Sequence, residues 1–112
     1  MTEYLMFVCT DSEFDVDLKD LTDIEDWVAE GARRGIRKQG DQLVEAAKAK
    51  TVRVRNGETL ITDGPFAETK EWIAYYDLLD CKDLDEAVDY ASRHPMARRG
   101  RLEVREVMVW EG

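Results

Sequence analysis

A few side chains in this sequence stand where their type could do chemistry. Asp63 closes the run Glu58 to Thr62 and precedes Gly64-Pro65-Phe66. A carboxylate at a strand end, beside a glycine that permits close approach, could act as a general base or accept a ligand's hydrogen bond. The same Asp could instead bond the amides of its own turn. Phe66 is the apolar candidate for ligand contact in that turn. Asp77 interrupts the otherwise apolar stretch Trp72 to Leu79. A carboxylate in that setting is paired with an Arg, lies at an edge, or is held with a raised pKa in a cleft. Tyr75 lies two residues away, on the same face of a strand, so the two could line one pocket. His94 is the single histidine, and its side chain titrates near neutrality when unperturbed. It could supply an acid to the same pocket or merely cap the second helix. Asp63 and His94 are therefore the catalytic candidates, and Asp77, Tyr75 and Phe66 the ligand-binding ones.

Other chemistries fail on spacing. Ser92 lies two residues from His94, and such neighbours on a helix do not face each other. Asp11-x-Glu13-x-Asp15-x-Asp17 has the acids of a calcium loop, but Val16 and Thr22 occupy the positions that need Gly and Glu. No phosphate-loop glycine pattern precedes Lys70-Glu71. Two Cys without CxxC spacing and one His do not make a zinc site, so Cys9 and Cys81 are expected as reduced thiols. Neither cofactor nor metal is expected.

These residues must be positioned by regular elements. Tyr4 to Cys9 predicts a strand covered on both faces. Thr22 and Glu25 have capping-box spacing. Ile24, Trp27, Val28, Gly31 and Ala32 then recur at helical intervals, with Arg33, Arg34, Arg37 and Lys38 filling a last turn before Gly40. Leu43 to Ala49 is ambiguous between strand and short helix. Thr51 to Arg55 and Glu58 to Thr62 flank Asn56-Gly57, the strongest short hairpin signal, because both turn residues need positive φ. A two-residue turn pairs Arg55 with Glu58, Val54 with Thr59, Arg53 with Leu60 and Val52 with Ile61. Trp72 to Leu79 predicts another strand. Leu84, Ala87, Val88 and Ala91 predict a helix ended before Pro95. Leu102 to Trp110 predicts the last strand. The order β-α-β-(hairpin)-β-α-β is α+β and matches a ferredoxin-like unit.

The chain has 112 residues, which fits one domain over residues 1–112, and 44% of it is hydrophobic. Net charge is −9, in blocks of −9, +6, −8 and +2 over residues 1–30, 31–56, 57–89 and 90–112. Such blocks commonly neutralise one another across a surface. The acidity argues against nucleic acid as a partner. No apolar run is long enough for a spanning helix, and no secretory signal pattern occurs, so a cytoplasmic protein without membrane contact is expected. One layer of helices leaves the second sheet face bare although two strands are apolar on both faces. A second copy of the sheet is the simplest cover, which makes a homodimer.

The segments Thr51 to Gly57 (TVRVRNG), Thr62 to Glu71 (TDGPFAETKE), Leu79-Asp80, Asp83 to Ala87 (DLDEA), Arg93-His94-Pro95 and Val104-Arg105 resemble the DGPF-domain branch of the YCII-related proteins. The resemblance is close over residues 51–107 and loose before them. It implies a dimeric α/β-barrel of ferredoxin-like protomers and assigns no reaction. Some relatives pair a His on the first helix with an Asp in the cleft. Residues 22–39 here contain no His, so that pair does not carry over. Tyr75 stands where many relatives have Gly beside Ala74, which would narrow a cleft.

Three functions follow as expectations. The first is small-molecule binding in a cleft of the homodimer. The second is a cofactor-free isomerase- or lyase-type enzyme with an Asp base. The third is an interaction module, such as an accessory to a transcription regulator, docking through its acidic 11–30 segment.

Overall fold

The computed structural model describes residues 1–10, 24–64 and 72–110. The element order is β1 (Thr2–Thr10), α1 (Ile24–Arg33), β2 (Arg37–Gln42), β3 (Lys50–Arg55), β4 (Glu58–Asp63), β5 (Ile73–Cys81), α2 (Leu84–Ser92) and β6 (Gly100–Glu106). Short 3-10 turns at Ala46–Lys48 and Pro95–Arg98 link them, the first resolving the ambiguous Leu43 to Ala49 stretch. Four strands form one antiparallel sheet in the order β2-β5-β1-β6. With two helices this is α+β, compatible with a ferredoxin-like α/β fold. The acidic 11–23 segment, including the expected Thr22 cap, and Phe66 lie outside the described residues.

Alternation in β1 sends Tyr4, Met6 and Val8 to the helix side, where all three are buried. Leu79 and Cys81 of β5 join them against Trp27 of α1, Ala87, Tyr90 and Ala91 of α2, and Met96. Burying each large apolar side chain stabilises the fold by roughly 1.5–3 kcal/mol. Leu5 and Phe7 face the other way, opposite Leu78 and Tyr76, and stay half-buried on a sheet face that carries no helix among the described residues.

The first helix ends earlier than its basic residues suggest. Gly35 has φ 69°, its amide bonds to Ala32 O at 3.2 Å, and the Ile36 amide reaches Gly31 O at 2.9 Å. This is a Schellman stop, with Gly in the left-handed region and a buried Ile36 just after it. Arg37 and Lys38 are therefore strand residues and not part of a last helical turn. Gly31 is itself needed, because a Cβ there would overlap the Tyr90 phenol.

The hairpin β3–β4 has the register that its turn chemistry dictates, Arg55 opposite Glu58 and Val52 opposite Ile61. Asn56 and Gly57 have φ of 53° and 74°. Val52, Val54 and Ile61 nevertheless remain exposed. α2 starts with Asp83, whose carboxylate accepts from the Glu86 amide at 2.9 Å. β6 stops at Glu106, short of the expected Trp110, because its ladder partner β1 is running out: Val107 N makes a last bond to Glu3 O. Val107 to Trp110 are exposed.

Candidate active site

A cavity of about 190 Å³ opens between α1 and the β2–β5 edge of the sheet. Trp27 and Val28 of α1 form its apolar wall, Arg37 and Gly40 of β2 one polar side, and Tyr75 and Asp77 of β5 its floor; His94, after α2, closes it.

Asp77 points to the helix side because it lies opposite Met6 in β1. Its side chain is 5% exposed, and the Arg37 Nε donates to Oδ1 at 2.7 Å. Arg37 also donates from Nη2 to Gly40 O at 2.8 Å. The glycine makes this geometry possible. A Cβ at position 40 would run into the Asp77 carboxylate and lie 2.6 Å from Tyr76 O. Burial raises the Asp77 carboxyl to about 6, although the Arg37 guanidinium pulls the other way. Burial and the Asp77 charge also raise the Tyr75 phenol.

His94 is placed by its neighbours in the chain. Its amide still bonds to Ala91 O at 3.0 Å, but Pro95 excludes helical backbone before it. The residue is extended at φ −65°, ψ 137°, which turns the ring inward. There it meets Trp27 edge-on, centroids 4.6 Å apart, and Tyr75 at 6.4 Å. Trp27 is stacked in turn on Tyr90 at 4.2 Å, and the two exchange side-chain-to-carbonyl bonds of 2.9 and 2.7 Å. The Met96 amide donates to His94 Nδ1 at 3.0 Å. The His94 Nε2 is buried and has no hydrogen-bond partner among the described residues. Burial first, and then the Arg37 charge, lower the imidazole pKa to about 4, so the ring is neutral at pH 7.

The structure thus brings Asp77, Tyr75 and His94 together and leaves Asp63 elsewhere. Asp63 ends β4, is 82% exposed, pairs with the Lys50 ammonium and does not line the cavity. Sequence reasoning missed Arg37, Gly40 and the cavity wall of Trp27. The signal for Arg37 was Gly35 followed by an apolar residue, the mark of a helix stop. A larger groove of about 440 Å³ between α2 and β6 is walled mainly by aliphatic side chains such as Leu84, Val88, Leu102 and Val104. Among the described residues no group of three or more His, Cys, Asp or Glu could hold a metal ion, and no helix is long and apolar enough to cross a membrane.

The model of the YCII-related domain matches residues 22–111. The chain is similar to an uncharacterized protein of Rhizobium meliloti (strain 1021), 43% identical over 72 residues. That match covers 62% of this chain and 58% of the relative. The cavity, from Trp27 to His94, lies wholly within the matched domain. The chain therefore belongs to the YCII-related domain family.

Proposed function

We propose that this protein binds a small molecule in the cavity beside His94, as a cytoplasmic homodimer of the DGPF branch. One observation carries the reading: His94, 2% exposed, lines the cavity, and its buried Nε2 has no hydrogen-bond partner among the described residues. An unsatisfied buried donor costs about 1–3 kcal/mol, and an acceptor on a ligand removes that cost. Thermal-shift measurements with a panel of small ketones, amides and carboxylates test it. At least one compound raises the melting temperature of the wild type and loses that effect in His94→Phe. A panel without such a compound overturns the reading.

The dimer would cover the half-buried strip Leu5, Phe7, Tyr76 and Leu78 with a second sheet. Light scattering is expected to give about twice 12.9 kDa. A clean monomer overturns it. The −9 charge supports the further reading that nucleic acid is not a partner.

An isomerase- or lyase-type reaction is a second reading, favoured by the Asp77 carboxyl at about 6, near the range suited to a general base. In this reading the base is Asp77 and not Asp63. Its mark is solvent deuterium entering a bound ketone at the carbon next to the carbonyl, lost in Asp77→Asn.

A further inference from the structure

The polar groups of the cavity restrict what it can hold. His94 Nδ1 already accepts from the Met96 amide, so the ring hydrogen of a neutral imidazole sits on Nε2. The ring offers one donor and no acceptor. That donor is uncharged at neutral pH, since burial and Arg37 disfavour the imidazolium.

Arg37 does not supply a spare cation. Its Nε is bonded to Asp77 and its Nη2 to Gly40 O. Asp41, itself exposed to solvent, also lines the cavity, so the lining holds two carboxylates against one guanidinium. A ligand carboxylate would add a further negative charge with no unspent cation to meet it, in a site where burial is costly for ions. The volume, about 190 Å³, falls below the roughly 300–1,000 Å³ of pockets for drug-sized ligands. Ile24, Trp27 and Val28 present an apolar surface to the ligand's body.

Resting on the binding reading above, we infer that the ligand is a small uncharged molecule that offers a carbonyl oxygen to the His94 Nε2–H, and that the site selects against carboxylates. A carbonyl fits because it accepts without bringing a hydrogen of its own. Selection comes from the pairing of Arg37 with Asp77, which leaves the cavity lining, among the described residues, without an unpaired cation to meet a ligand carboxylate.

The single histidine makes the test direct, since its ring signals in the nitrogen-15-labelled full chain need no assignment. Three ring compounds of similar size serve as probes at pH 7.5: cyclohexanone, cyclohexanecarboxylate and methylcyclohexane. Cyclohexanone is expected to move the Nε2–H resonance and to bind at least about tenfold more tightly than the carboxylate. Methylcyclohexane is expected to leave that resonance in place. Asp77→Asn removes one negative charge and is expected to narrow the gap between ketone and carboxylate. A carboxylate that binds as tightly as the ketone and moves the resonance overturns the ligand class and leaves the cavity as a binding site. Methylcyclohexane binding as well as the ketone also overturns the class, because oxygen would then not be recognised. If none of the three moves the resonance or the melting temperature, the class and the binding reading fall together.

Discussion

Asp63 and Asp77 are both strand acids with a basic partner, and they differ in everything that decides what such a pair does. Asp63 ends a hairpin strand, 82% exposed beside a Lys50 that is 64% exposed. Asp77 lies mid-strand, 5% exposed, against an Arg37 that is 19% exposed. Water screens the first pair, so it contributes little. Burial makes the second costly to form and costlier to break. A charged residue inside an apolar strand therefore says more about a site than one in a turn rich in signature residues.

The largest expected effect is at Asp77. Asp77→Ala leaves the guanidinium of Arg37 without its carboxylate, and urea denaturation is expected to show a loss of about 2–4 kcal/mol, somewhat below that of a fully buried pair. An equal loss for Asp63→Ala would dissolve the comparison. Next comes Gly40→Ala, whose methyl group must displace the Asp77 carboxylate or the β5 backbone. It is expected to cost about 1–3 kcal/mol by the same measurement.

The pH dependence of stability sharpens the comparison further. The Asp77 value is raised from 3.8 to about 6, so its contribution is greatest below 3.8 and is lost as pH rises through 6. The His94 value is lowered from 6.5 to about 4, so its contribution is present above 6.5 and is lost as pH falls through 4. Between pH 4 and 6 the two slopes oppose, and the wild-type melting temperature is expected to be nearly flat. His94→Phe is expected to gain stability as pH falls across that window, and Asp77→Asn to lose it. Parallel profiles for the two variants would show that the groups do not titrate as assigned. The smallest effect is at the hairpin: Asp63→Asn is expected to leave the urea midpoint unchanged at low and high salt.

What could be read from the sequence was what local chemistry decides. Asn56-Gly57 requires positive φ at both positions, so the hairpin register follows from the turn alone. The alternating burial of β1 is not local in that sense, because Tyr4 to Cys9 is apolar at every position and reads as covered on both faces. β2 was invisible because Arg37-Lys-Gln-Gly-Asp-Gln42 is a polar edge strand with no apolar alternation, and it is recognisable only beside β5. Arg37 consequently read as a helix-end charge. The site was half legible: Tyr75, Asp77 and His94 were singled out by type and context, but their partner Arg37 depends on a contact between distant segments. Asp63 drew attention through its motif, which carries no information about burial.

The cavity wall is gathered from Ile24, Arg37, Asp77 and His94, which lie far apart along the chain. None of the shorter segments between them can form the site alone. A ligand held there would clamp α1, both strands and the end of α2 at once, so it would bind the folded state and not the unfolded one. Its binding would then be felt as slower hydrogen exchange throughout the domain and not as the ordering of one loop.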